Sequence, residues 1–190
     1  GDLSRRDFTV NAMALQLDGK ENLFIDPHNG MQDLIAKQLR TPGTPEQSFS
    51  DDPLRMMRAA RFAAQLGFAI APEVRTAITE MSARLQIISS ERIRDEFVKT
   101  LMSVNPRLGL TVMVETGLAA QFLPELPALQ LEIDEHHRHK DVYEHSLIVL
   151  EQAIDQEDRL GGPNLILRLA ALLHDIGKPK TRALIPGGGV

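Results

Sequence analysis

Ser50-Asp51-Asp52-Pro53-Leu54-Arg55-Met56-Met57-Arg58-Ala59-Ala60-Arg61-Phe62-Ala63-Ala64 carries the sharpest pattern in the chain. Asp52 suits an N-cap, Pro53 suits a first helical position, and Gly67 ends the helix. Met56, Ala59, Ala60 and Ala63 recur at helical spacing and form a core face. Arg55, Arg58 and Arg61 recur every three residues beside it, with Asp52 at the N-terminal end of the stripe. Such a stripe is often only a solvated basic face. It also has a chemical reading. An arginine beside a carboxylate sets fixed donors next to a fixed acceptor, and arginine keeps its charge at any physiological pH. Cytosine and adenine each present an amine donor beside a ring-nitrogen acceptor; uracil and guanine present the reverse order. Asp52 and Arg55, one turn apart, would accept the first pair and reject the second. Arginines further along would face phosphate oxygens.

Downstream of this stretch the texture stays helical. Pro72 restarts a helix expected to run to about Arg84. Ser89-Ser90-Glu91-Arg92 begins a third, with Ile93, Phe97, Val98 and Leu101 on one face, and Asn105-Pro106 opens a fourth that ends near Gly117. Phe122-Leu123-Pro124-Glu125-Leu126-Pro127 closes the block. Upstream, short apolar runs from Met13 to Leu17 and from Leu23 to Ile25 flank Asp18-Gly19-Lys20, which predicts a two-strand pairing. Asp26-Pro27-His28-Asn29-Gly30 breaks the chain before a helical Met31 to Gln38, and Thr41-Pro42-Gly43-Thr44-Pro45 is expected as a linker. The last third is rich in histidine: His136, His137, His139 and His145, then a helix through Gln152. Gly161-Gly162-Pro163 separates it from an almost wholly apolar helix expected over Leu165 to Ile176, and Pro186-Gly187-Gly188-Gly189 reads as a loop.

Composition narrows the chemistry. The 190 residues are 43% hydrophobic and 25% charged, ordinary for a globular protein. No cysteine is present, so any metal must be held by histidine and carboxylates. No apolar run is long enough to span a bilayer and no membrane partner is expected; a cytoplasmic setting is. The net charge of −5 opposes phosphates, so a nucleic-acid partner must be held by local arginine patches.

The Ser50–Ala64 stretch resembles the nucleotide-templating helix of the class II CCA-adding tRNA nucleotidyltransferases and bacterial poly(A) polymerases. That family usually has Glu-Asp where this chain has Asp51-Asp52. Arg5-Arg6-Asp7-Phe8-Thr9-Val10-Asn11-Ala12-Met13 resembles its second motif, Asp26-Pro27-His28-Asn29-Gly30-Met31-Gln32-Asp33-Leu34 its third, and Glu91-Arg92-Ile93-Arg94-Asp95-Glu96 its fifth. The resemblance implies nucleotide contacts for Arg6, Asp52, Arg55, Arg58 and Arg61, with Asp7 and Asn11 on the sugar side. For Arg6 the plain alternative is a surface salt bridge, and for Asp52 it is helix capping. The family's metal-binding carboxylates lie in a Gly-Gly-x-Val-Arg-Asp unit and an Asp-x-Asp pair, and neither occurs here. The chain is therefore expected to be a piece of a larger protein and inactive by itself in Mg²⁺-dependent phosphoryl transfer.

Asp141-Val142-Tyr143-Glu144-His145 followed by Leu172-Leu173-His174-Asp175-Ile176-Gly177-Lys178 resembles the HD phosphohydrolases. The doublet itself is suggestive, because burying two ionisable groups together is costly unless an ion compensates. The resemblance implies that His145, His174 and Asp175 are ligands of a divalent metal, that Lys178 meets a phosphate, and that a last aspartate lies beyond Val190. Nitrogen and oxygen donors do not choose among the divalent metals. His136, His137 and His139 read as a solvated linker cluster.

The expected fold is mainly α (α+β overall). Residues 1–45 would be the end of a nucleotidyltransferase α/β head, 46–130 an all-helical neck and body, and 131–190 the first helices of an HD domain. The implied activity of the parent is addition of C, C and A to tRNA 3′ ends from CTP and ATP. Poly(A) synthesis, an HD-type phosphohydrolase acting on RNA or nucleotide phosphates, and a non-catalytic RNA-binding module are the rivals. The implied partners are a tRNA or other RNA 3′ end and the two nucleotides.

Overall fold

A computed structural model describes residues 2–17, 22–131 and 141–181. The Asp18-Gly19-Lys20 turn, the three linker histidines and the 186–189 loop lie outside these described residues. The chain divides into two compact units, Gly1–Leu118 and Ala119–Val190.

The first unit is built around the helix on which the sequence reading turns. That helix, α3 (Leu54–Leu66), packs on α5 (Ser90–Leu101) and α6 (Pro106–Glu115). Met56, Ala59, Ala60 and Ala63 on α3 are buried, as their spacing predicts, and Met57 is buried beside them. The small residues let the helices approach closely. A Cβ added to Gly109 of α6 would lie 2.9 Å from the Ala64 Cβ and 2.4 Å from the Thr100 Cγ2, so only glycine fits this crossing. At the other end the Asp52 side chain accepts from the Leu54 N–H at 3.1 Å, filling the capping role expected of it.

Shorter elements frame this core. Strands β1 (Ala14–Leu17) and β2 (Asn22–Ile25) pair antiparallel, Leu15 opposite Phe24. Helix α1 (Gly30–Ala36) is capped by Asp26, whose two carboxylate oxygens accept from the Gly30 and Met31 N–H groups at 2.7 and 3.0 Å. The Met31 N–H bond leads the forces that hold this carboxyl below its usual range. Gly30 is required by contact: a Cβ there would sit 2.1 Å from the Thr9 carbonyl oxygen. The buried Asp33 of α1 accepts from the Thr9 hydroxyl at 2.7 Å and from Arg40 at 2.5 Å, tying the helix to the chain's beginning.

Several expectations shift. Helix α1 stops at Lys37, which adopts a left-handed φ of 53°, and Gln38–Leu39 forms a two-residue parallel pairing (β3) with Ala69–Ile70 (β4) instead of a last helical turn. The expected linker at Thr41–Pro45 ends in a helix, α2 (Pro45–Asp51). Thr44 caps it by accepting from the Gln47 N–H, Pro45 sits at the first position, and Phe49 is buried. Helix α4 (Pro72–Met81) gives way to a 3₁₀ segment, Ser82–Ile87. On α5, Ile93 and Leu101 are buried as predicted, but Phe97 and Val98 are only half-buried while Glu96 and Thr100 are inside. The face turned because Glu96 has an arginine partner and Thr100 satisfies its hydroxyl on the Glu96 carbonyl at 2.8 Å.

The second unit begins with α7 (Glu125–Ala128) and centres on α8 (Val142–Ile154) packed against α9 (Leu165–Leu173), followed by α10 (Lys178–Thr181). Helix α9 ends at Leu173, before the His174-Asp175 doublet and short of the expected Ile176. Arg168 is buried and forms a two-pronged pair with the buried Glu157, at 2.7 Å on each prong. That contact holds the Glu157 carboxyl below its ordinary range. Among the described residues no helix is long and apolar enough to cross a membrane.

Two outcomes follow from this packing. Gly109→Ala should cost about 1–3 kcal/mol by overpacking, read from the urea midpoint of unfolding. Glu157→Gln should cost about 3 kcal/mol at neutral pH, since it strands a buried guanidinium. A depressed carboxyl contributes stability above its unfolded value of about 4.3 and loses it as pH falls. The gap between Glu157→Gln and the parent chain should therefore close below that pH.

Candidate functional site

The string from Arg5 to Met13 returns to α3 through one aromatic and one carboxylate. Phe8 is fully buried and meets the Phe62 ring edge-on, centroids 5.6 Å apart. Asp7, also buried, lies 2.5 Å from an Arg58 Nη2 and 3.4 Å from the Arg55 Nε. Arg55 is fixed further by donating to the Arg5 carbonyl at 2.7 Å and the Ser48 hydroxyl at 3.0 Å. Asn11 turns its side-chain oxygen back to accept from the Phe8 N–H at 3.2 Å.

Asp7, Asn11, Arg55 and Arg58, with Asp2, Arg5, Arg6 and Asp52, line an open cleft of about 410 Å³. Of the residues singled out from the sequence, the cleft gathers Arg6, Asp7, Asn11, Asp52, Arg55 and Arg58. Arg61 lies outside its lining. It sits 2.7 Å from the Glu96 carboxylate and 4.4 Å over the Phe62 ring, and burial pulls its guanidinium below the usual value against the opposing pull of Glu96. Arg6 is exposed and pairs with Asp2 at 2.7 Å, the surface ion pair that was its plain alternative. Asp52 divides its oxygens, one for the Leu54 N–H and the other for Arg92 at 3.2 Å.

Arg92 and Ser48 were missed as parts of this site. Arg92 falls in a quoted motif, but nothing in its spacing aims it at Asp52, 40 residues away. Ser48 stands on α2, a helix not anticipated between the Thr41–Pro45 linker and α3.

The second unit brings together the other predicted set. One ligand atom from each of His145, His174 and Asp175 lies within 4.8 Å of the others. The rings of His145 and His174 meet at 5.3 Å. The His174 Nδ1–H donates to the Ala171 carbonyl at 2.8 Å, which turns Nε2 toward the Asp175 carboxylate, 3.1 Å away. The premise that both members of the doublet are buried does not hold. His174 is exposed, because α9 has already ended. The case for a metal rests instead on convergence: two imidazoles and one carboxylate, one ring locked in the right tautomer, suit a divalent ion. Lys178 reaches the same carboxylate at 2.8 Å.

Parts of both units match known protein families. Residues 1–40 match the poly A polymerase head domain, residues 67–129 a probable RNA and SrmB-binding site of polymerase A, and residues 142–186 the HD domain. The chain is 41% identical over 184 residues to a multifunctional CCA protein of Neisseria gonorrhoeae, covering 95% of this chain and 42% of that one. It is 39% identical over 193 residues to an A-adding tRNA nucleotidyltransferase of Deinococcus radiodurans, covering 99% and 43%. The CCA-adding enzyme of Bacillus stearothermophilus, solved in complex with CTP, superposes with a TM-score of 0.64 at 30% identity, over 97% of this chain and 49% of that one. The chain thus spans a little under half the length of the relatives it matches. With three family domains in order and relatives at this identity, the chain belongs to the CCA-adding tRNA nucleotidyltransferase and poly(A) polymerase family.

Proposed function

We propose that these 190 residues are the nucleotide-selecting part of a cytoplasmic enzyme that adds CCA to tRNA 3′ ends from CTP and ATP. Residues 1–45 serve as the end of its catalytic head, 46–130 as its RNA-holding neck and body, and 131–190 as the start of an HD domain. The observation that carries the reading is the single cleft that gathers Asp52 and Arg55 with Arg6, Asp7, Asn11 and Arg58. Asp52 has a lone pair left on the oxygen that meets Arg92 and accepts the exocyclic amine of C or A there. Arg55, held by Asp7, Ser48 and the Arg5 carbonyl, donates to the neighbouring ring nitrogen. A base with the reverse order leaves both groups facing their like, which costs more than the lost bonds alone. Arg6 and Arg58 face the phosphates; Arg61 anchors the stripe through Glu96.

Mg²⁺ is the ion proposed for phosphoryl transfer by the whole protein. The cleft does not fit it: Asp7 is taken up by two arginines, and Asp52 by a cap and a third. No transfer step is assigned to these residues, and the chain is proposed to choose a nucleotide without joining it.

A second reading has its own observation. The His145, His174 and Asp175 donor set supports a divalent-metal centre of the HD phosphohydrolase kind, acting on RNA ends or nucleotide phosphates. A metal held there would supply a bound water of lowered pKa, and Lys178 lies beside it for a phosphate.

CTP and ATP should each raise the melting temperature of the chain while UTP and GTP do not, and Arg55→Ala should abolish the rise. Equal shifts with all four would sink base selection by Asp52 and Arg55, and a rise with ATP alone would favour poly(A) synthesis or A addition. For the other centre, calorimetric titration with Mn²⁺ should give one site per chain, lost in His174→Ala and in His145→Ala. A variant that binds as the parent does would remove that residue from the ligand set.

A further inference from the structure

In the second unit, two contacts converge on a single atom. Asp175 Oδ2 lies 3.1 Å from the His174 Nε2 and 2.8 Å from the Lys178 Nζ. With the Nδ1–H of His174 donated to the Ala171 carbonyl, Nε2 and the carboxylate oxygen are two acceptors facing each other. Such a pair is favourable only with a cation against it. The Lys178 ammonium supplies one, and it stands on the oxygen that a divalent ion would take. The side chain can leave without its helix. Lys178 is 38% exposed against 16% for Asp175, so the ammonium is the partner that faces water. The helix, α10, stays tied near its other end, where Lys180 donates to Glu125 at 2.9 Å. A partly exposed ion pair is screened and weak, so modest competition breaks it.

We propose that Lys178 gates the loading of a divalent ion at this centre and that a phosphate group opens the gate. The gate rests on the HD-type reading of His145, His174 and Asp175 as ligands. Without phosphate, the ammonium holds Asp175 Oδ2 and opposes an incoming ion twice, by its charge and by occupying the lone pair that the ion needs. A phosphomonoester carries more negative charge than one carboxylate and offers three acceptor oxygens. It draws the flexible lysine toward itself, and Asp175 is left free for the ion. An ammonium moved onto phosphate opposes the metal less, so phosphate tightens metal binding. By linkage the metal tightens phosphate binding by the same factor. The centre then fills most firmly when a phosphate-bearing ligand is at hand.

The test is calorimetric titration of Mn²⁺ into the 190-residue chain, with and without phenylphosphonate, a phosphomonoester mimic with no ester bond to hydrolyse. Phenylphosphonate should tighten Mn²⁺ binding to the parent chain about tenfold, within the usual span of coupling between sites. Lys178→Met keeps the apolar stem and removes the charge. It should bind Mn²⁺ alone about tenfold more tightly than the parent does, and gain less than about threefold from phenylphosphonate. Lys180→Met loses the same charge from the same helix without touching Asp175, and should match the parent in both titrations. The gate is overturned if Lys178→Met binds Mn²⁺ no more tightly than the parent. It is equally overturned if phenylphosphonate helps both chains to the same degree, which would place the coupling in direct contact between ion and phosphonate. A gain in Lys180→Met equal to that in Lys178→Met would reduce the effect to net charge and remove the gate. Mn²⁺ binding by neither the parent nor Lys178→Met would sink the ligand set itself, and the gate with it, whereas binding by Lys178→Met alone would show the gate at its tightest.

Discussion

The first unit depends on a buried carboxylate held between two arginines. Asp7 comes from a short irregular segment with no helix or strand of its own to place it, and Arg55 and Arg58 come from the most regular helix in the unit. A buried carboxylate alone would be costly, and so would part-buried guanidinium groups without an anionic partner. Each makes the other acceptable. The segment can lie across α3 only in the register that puts Asp7 over Arg55 and Arg58, and Phe8 falls into place one residue later. One ion-pair cluster therefore sets the shape of the cleft as well as its charge.

That arrangement has a cost that bears on function. Arginine side chains lose considerable rotamer freedom when they are fixed. Here the loss is met on folding, by Asp7, Ser48 and the Arg5 carbonyl, and not when a ligand arrives. If a nucleotide base enters this cleft as proposed, donors already aimed would discriminate by geometry, because a mismatched base could not recruit a donor that is tied elsewhere. Asp52 follows the same logic. Its cap bond fixes the carboxylate plane, and Arg92 holds the oxygen that faces the cleft. Arg61 shows the contrast: same stripe, same spacing, but drawn to Glu96, so the stripe divides into two arginines for the cleft and one for the core.

The elements that were legible in the sequence are those where a single local signal decides. The α3 face, the Asn105-Pro106 helix start and the β1–β2 pairing all follow from spacing, caps and turn residues. What escaped depends on partners distant in sequence. The Gln38–Leu39 pairing needs Ala69–Ile70, and the inward turn of Glu96 needs Arg61, 35 residues before it. Helix α2 is different: Thr44, Pro45 and Gln47 are a start signal in plain view, hidden by the turn residues directly before them. At the sites, the residue types and their order were readable, whereas the Arg92 contact on Asp52 exists only once the chain has folded.

The end of α9 carries the corresponding lesson for the metal donors. An apolar run followed by His-Asp invites the picture of a helix that buries two titratable groups. The helix instead stops at Leu173, so the doublet stands at a helix C-terminus where free carbonyls gather. One of them, that of Ala171, accepts a hydrogen bond from the His174 Nδ1–H. The backbone that an unbroken helix would have used for its own bonding thereby selects the tautomer a metal requires, and exposure of His174 leaves its Nε2 open to an ion from solvent. Lys178, one turn on, places an ammonium on the carboxylate where that ion would bind, so the same charge that steadies Asp175 without metal must yield when metal enters. Were an ion to bind there as proposed, its affinity would be a competition between a tethered cation and a divalent one, in which the ion has the larger charge and two imidazoles that a lysine cannot use.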